Sequence, residues 1–219
     1  MDNFCQDRDL LCLEGCIFEA TSGPGQQLIT GTDGLLDGTV FTSEASDFTS
    51  AGVQAGMVLT GLTGTEQLCH AWEIVSVDSD TQLTVSLLRS DPSGDPLSPG
   101  LPAETPVNFH VRTFAAQIQA VSSALAEKLR QMVEANGIVS ADFADSSQLR
   151  VTAACGVLGT VFVARAENAM PHDANWVKAE HYRNEFRRLS LQLRLAIDLD
   201  GDGKAEHTRT LGNVNLRRA

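Results

Sequence analysis

The chain has 219 residues, 42% of them hydrophobic, which is room for one large domain or two small ones with a real core. Its 28 acidic and 16 basic residues leave a net charge of -12, which argues against a general nucleic-acid binder because phosphate neutralisation needs clustered Lys and Arg. No stretch approaches the length of a transmembrane helix, and Met1 to Cys5 lacks the basic start and apolar run of a secretory signal, so a soluble chain made in the cytoplasm is expected.

Residues 5–20 read as a short helix with Leu10, Leu11, Leu13, Ile17 and Phe18 on its apolar face and Asp7 or Asp9 near its start. Thr21 to Gly25 ends it. From residue 28 to 113 the pattern alternates and is rich in Val, Thr and Leu. Strands are expected at Gly38–Thr42, Met57–Thr60, Ala71–Val77, Gln82–Leu88 and Val107–Thr113, separated by turn residues and by a Pro/Gly/Ser loop from Asp91 to Pro106. Short strands at this spacing predict a small antiparallel barrel or sandwich. Ile74 and Val75 are adjacent, so they cannot both face the core.

Helical spacing returns over residues 114–136, where Ile118, Val121, Leu125, Leu129 and Met132 form a stripe that Asn136-Gly137 terminates. Another helix is expected over 145–168, opened by Asp145 with Gln148 three residues on. It would bury Leu149, Ala153, Leu158, Val161 and Phe162, and its small residues Ala153, Ala154, Gly156 and Gly159 allow close helix approach at a cost in propensity. A long amphipathic helix follows from Asn175 to about Ile197, capped by Asp173, with Trp176, Ala179, Tyr182, Phe186, Leu189, Leu193 and Ile197 on one stripe.

The fold expected is α+β: a helical bundle of about four helices (1–27 and 114–197), an inserted antiparallel β-barrel or sandwich module (28–113), and an extended C-terminal arm (198–219). Eight basic and five acidic residues in 183–219 make that end net +3 and leave -15 for positions 1–182. Such asymmetry marks an interaction end, one that could meet an acidic partner or an acidic face of a neighbouring copy.

Chemistry-bearing motifs are sparse. The sequence has no Gly-x-Ser-x-Gly, phosphate loop or His-Glu-x-x-His, and His70, His110, His172, His181 and His207 are scattered. No catalytic set, metal site or cofactor is expected. Asp198-x-Asp200-x-Asp202-Gly203 matches the first half of a calcium loop, but position 12 is Arg209, where the bidentate carboxylate belongs, and a plain turn is the favoured reading. Five cysteines (Cys5, Cys12, Cys16, Cys69, Cys155) show no Cys-x-x-Cys spacing and read as reduced, buried small residues.

Four pieces together resemble a neck protein of tailed bacteriophages and prophages, the head–tail connector or adaptor beneath the portal. They are the opening Asp7-Arg8-Asp9-Leu10-Leu11-Cys12-Leu13-Glu14; the β segments Asp47-Phe48 to Leu59, Glu73 to Asp78 and Leu83-Thr84-Val85; the helix Lys178 to Phe186; and the ending from Asp198 to Ala219. The resemblance implies a structural virion protein and not an enzyme. It implies a homo-oligomeric ring, usually of twelve copies, located in the virion neck after assembly in the host cytoplasm. The portal protein and tail-side neck or tail proteins would be its partners, with DNA passing through without specific binding and no membrane involved. Lys204 to Ala219 would be the portal-contacting arm, with Leu211, Val214 and Leu216 as apolar contacts and Arg209, Arg217 and Arg218 as charged ones. The alternatives are another virion component, for tail completion or decoration, or a calcium- or carbohydrate-binding module.

Overall fold

The computed structural model describes residues 3–19, 25–63, 68–100, 106–135, 142–143, 147–167, 170, 173–198 and 207–210. They form four α-helices and two antiparallel sheets, one of them closed into a six-stranded barrel. The chain is α+β with a barrel. It divides into two compact units, Gln6–Ala115 and Met1–Cys5 with Ala116–Ala219.

The first unit begins with α1 (Asp7–Leu13) and a single 3-10 turn (Gly15–Ile17). The strands follow: β1 (Gln26–Asp37), β2 (Val40–Thr42), β3 (Val58–Thr63), β4 (Leu68–Ser79), β5 (Gln82–Ser86) and β6 (Val107–Thr113). Around the barrel the order is β1-β2-β5-β4-β3-β6, and β6 closes back on β1, so no edge is left open. Alternate residues fill the interior: Leu36, Phe41, Leu59, Trp72, Ile74, Leu83, Val85, Val107, Phe109 and Val111 are all buried. Phe41 and Phe109 meet edge to face with centroids 4.9 Å apart. Ile74 takes the core side of β4 and Val75 is half-buried.

β1 is the strand that sequence patterning misses. Its glycines have no side chain to alternate, yet they are what makes room for the rings. A Cβ on Gly31 would lie 2.5 Å from the Phe109 ring, one on Gly34 2.5 Å from the Phe41 ring, and one on Gly61 of β3 2.5 Å from the Trp72 indole. Gly61→Ala must therefore displace a fully buried indole. We expect a loss of about 1–3 kcal/mol, read as a lowered urea midpoint with an unchanged slope.

The N-terminal segment lies against the outside of this barrel. Arg8 N–H donates to the Gly56 carbonyl at 3.0 Å, Thr113 Oγ1 donates to Asp7 Oδ2 at 2.6 Å, and His110 Nε2 lies 2.9 Å from the Phe18 carbonyl. Leu10, Ile17, Phe18 and Phe114 are fully buried there, with Phe18 and Phe114 edge to face at 5.3 Å. The expected assignment of 1–27 to the helical bundle is thus corrected for the segment from Gln6 onward. The apolar face of α1 is satisfied by a sheet, which amphipathic spacing alone cannot distinguish from a helix partner.

The second unit holds α2 (Ala115–Ala135, from its second residue), α3 (Ser147–Arg165) and α4 (Ala174–Gln192). Ile118, Leu125 and Leu129 of α2 are buried, as are Leu149, Ala153, Leu158, Val161 and Phe162 of α3. The small residues of α3 set the helix spacing: a Cβ on Gly156 would meet Val121 at 2.8 Å and Phe186 at 3.0 Å, and one on Gly159 would meet the Arg183 stem at 2.9 Å. Asp173 caps α4, accepting from the Asn175 and Trp176 N–H groups at 2.8 and 3.2 Å. Asp145 lies outside the described residues.

The expected helix to Ile197 is too long. Leu193 leaves helical geometry, and Arg194–Asp198 form strand β8, paired with β7 (Asp142–Phe143) on one side and β9 (His207–Thr210) on the other. Leu195 and Ile197 satisfy a period of two, while Leu193 and Ile197 satisfy a helical step of four. Partner strands on both sides decide the outcome by pairing the backbone. Of the expected extended arm of 198–219, Asp198 ends β8 and His207–Thr210 form β9; the other residues lie outside the described ones.

Candidate functional site

Of the residues expected to contact a partner, only Arg209 falls among the described residues, in β9 opposite Leu195. Leu211, Val214, Leu216, Arg217 and Arg218 lie outside them, as do Asp200 and Asp202 of the calcium-like run; Asp198 ends β8, opposite Asp142. No group of three or more His, Cys, Asp or Glu among the described residues could hold a metal ion. None of the described helices is long and apolar enough to cross a membrane.

The polar groups that sequence reasoning passed over form a buried ionic cluster in the first unit. Glu73 lies between Trp72 and Ile74, so it points away from the barrel core, yet it has no solvent exposure. Arg8 of α1 donates from Nε to Glu73 Oε2 at 2.6 Å, and Arg89 donates from Nε to Glu73 Oε1. Arg8 Nη2 also donates to the Arg89 carbonyl at 2.6 Å, and Arg89 Nη1 to the Gly94 carbonyl. One carboxylate thus anchors both α1 and the segment after β5. Its partners are 65 and 16 residues away, a pairing without local sequence signature.

Asp7 is the second buried acid. It accepts from Thr113 Oγ1 and, at 2.8 Å, from the Phe114 N–H. Burial pushes its carboxyl up to about 6, outweighing the two hydrogen bonds that pull it down. Both acids serve packing. Among the histidines, His110 is buried against the Phe18 carbonyl, His70 stacks on Trp72 at 5.9 Å, and His181 meets the Tyr182 ring edge to face. Cys5 and Cys155 are buried as expected, whereas Cys12, within α1, and Cys16, beyond its end, are exposed.

Burial of the arginines has a consequence for the surface. The Gln6–Ala115 unit contains fifteen acidic residues and three basic ones (Arg8, Arg89, Arg112), a net charge of -12 with no lysine. All three arginines are buried. With its histidines neutral, the charge its surface displays is therefore entirely carboxylate. The other unit has thirteen acidic and thirteen basic residues and is net neutral. No protein-family model matches the chain, and no curated protein or solved structure is detectably similar to it.

Proposed function

We propose that the chain is a structural protein of a tailed-phage neck, a connector that assembles as a ring beneath the portal and docks through its C-terminal residues. The observation that carries this reading is the disposition of charge. Every arginine of the barrel unit is buried, leaving an anionic exterior, and such a surface repels a DNA backbone instead of gripping it. A barrel whose interior is filled by aromatic and branched side chains also acts as a packed module and not as a container. In this reading Arg209, Leu211, Val214, Leu216, Arg217 and Arg218 contact the portal, and residues 211–219 are required for that contact.

Deleting residues 211–219 tests the reading. The deletion variant should melt as the full chain does and should fail to comigrate with a candidate portal ring that binds the full chain. Undiminished portal binding by the folded variant would overturn the docking role of the C-terminus.

A further inference from the structure

The segment after β5 is built to present apolar side chains outward. Its backbone is closed by the Leu87 N–H donating to the Leu97 carbonyl at 2.9 Å and the Leu97 N–H to Ser86 Oγ at 2.8 Å. Arg89 ties it inward to Glu73 and closes it on itself through the Gly94 carbonyl, and Ser98 Oγ donates to the Gly38 carbonyl. Pro92, Pro96 and Pro99 stiffen it further. On this fixed strap Leu87 is 45% exposed and Leu97 51%, with exposed Asp91 and Asp95 between them. Asp91 is held ionised, its carboxyl kept below the ordinary range by hydrogen bonds from Ser93.

The helical unit carries the opposite arrangement. Val177, Glu180, Asn184, Arg187 and Leu191 follow one another in steps of three and four along the outer stripe of α4, flanked by Arg183. Val177 is 49% exposed and Leu191 62%, so the stripe has an apolar residue at each end, with Glu180, Asn184 and Arg187 between and Arg183 beside them. The two arginines line one shallow depression with Glu180 and Asn184. Arg183 rests its stem over Gly159, which directs the charged head outward.

We infer that the strap of one copy seats on the outer face of α4 of a second copy, Leu87 and Leu97 meeting Val177 and Leu191 while Asp91 and Asp95 face Arg183 and Arg187. Charge complementarity selects this occupant. The strap belongs to a unit whose arginines are all buried, and the arginine face belongs to the unit that holds the chain's exposed basic residues. The contact joins two different surfaces, so each copy keeps one of each free to continue, and repetition gives a closed ring or a filament. The inference deepens the connector reading by naming the contact between copies, and its test does not involve the portal.

Sedimentation equilibrium of the full chain at low salt should show self-association. Arg183→Glu with Arg187→Glu, and separately Asp91→Lys with Asp95→Lys, should each weaken it about a hundredfold while the chain still melts cooperatively, and roughly tenfold weakening is expected on raising salt for the unmodified chain. Combining all four changes in one chain should restore association. Mixing the two reversed chains should likewise restore association, now with the two chains alternating, because the strap of each again faces an α4 of opposite charge. A chain that stays monomeric at every concentration, or whose association ignores the charge reversals, overturns the inference. Portal binding by such a chain would leave the connector reading standing, whereas restored association without portal binding would leave only this contact standing.

Discussion

Replacing Glu73 by Gln should destabilise the barrel unit by about 3–5 kcal/mol, the largest effect of any isosteric change in it. The substitution keeps the volume and removes the charge. Two buried guanidinium groups, Arg8 and Arg89, then share one amide in place of a carboxylate, and the amide nitrogen turns a donor toward a donor. The loss should appear as a lowered urea midpoint, with faster amide exchange at Leu87 and Leu97 because the strap loses its anchor. The triple change Arg8→Met, Glu73→Leu, Arg89→Met should recover most of it, since a buried ion cluster contributes little beyond well-packed apolar residues of similar volume. A Glu73→Gln chain as stable as the parent contradicts a dry cluster.

The second large effect is a pH dependence centred on Asp7. Its carboxyl titrates near 3.8 when exposed and at about 6 when buried, chiefly through desolvation. Below about pH 4 both states are protonated and the group contributes no difference. Between about pH 4 and 6 the folded state holds a proton that the unfolded state has released, so this contribution to stability falls as pH rises and reaches about 3 kcal/mol of penalty above about pH 6. In Asp7→Asn the new amide can accept from the Phe114 N–H and donate to Thr113 Oγ1 without carrying charge. The stability difference between the Asp7→Asn variant and the parent should be near zero at about pH 4 and grow to about 2–3 kcal/mol in favour of the variant by about pH 7. Taking the difference removes the carboxylates of Asp33 and Asp91, whose lowered values act in the opposite sense. A flat difference curve would show that Asp7 is solvated.

These two residues also mark how far the sequence is readable. Local periodicity locates β6 at Val107–Thr113 and the buried set of α3, because each element's own spacing carries the information. Gly156 and Gly159 likewise announce close helix packing before any partner is known. Gly31 and Gly34 convey the opposite impression: they dilute the strand pattern of β1, and their purpose emerges only when Phe109 and Phe41 are seen on the neighbouring strands β6 and β2. Ile197 fits two periods at once, and only pairing with Phe143 and His207 settles it. Arg8, Glu73 and Arg89 read as ordinary surface charges in a linear chain. Their burial arises from bringing α1 and the strap over one outward position of β4, which no neighbouring residue encodes. The same burial turns an acidic composition into a barrel surface without arginine or lysine, the property on which the functional reading rests.

Native mass spectrometry of the full chain, alone and with a candidate portal ring, tests the central claim most directly. The expected result is a closed ring of copies, formed alone at low salt or on the portal, and its loss from the portal when residues 211–219 are removed. A protein that remains a monomer in both samples and ignores the portal would contradict the connector reading.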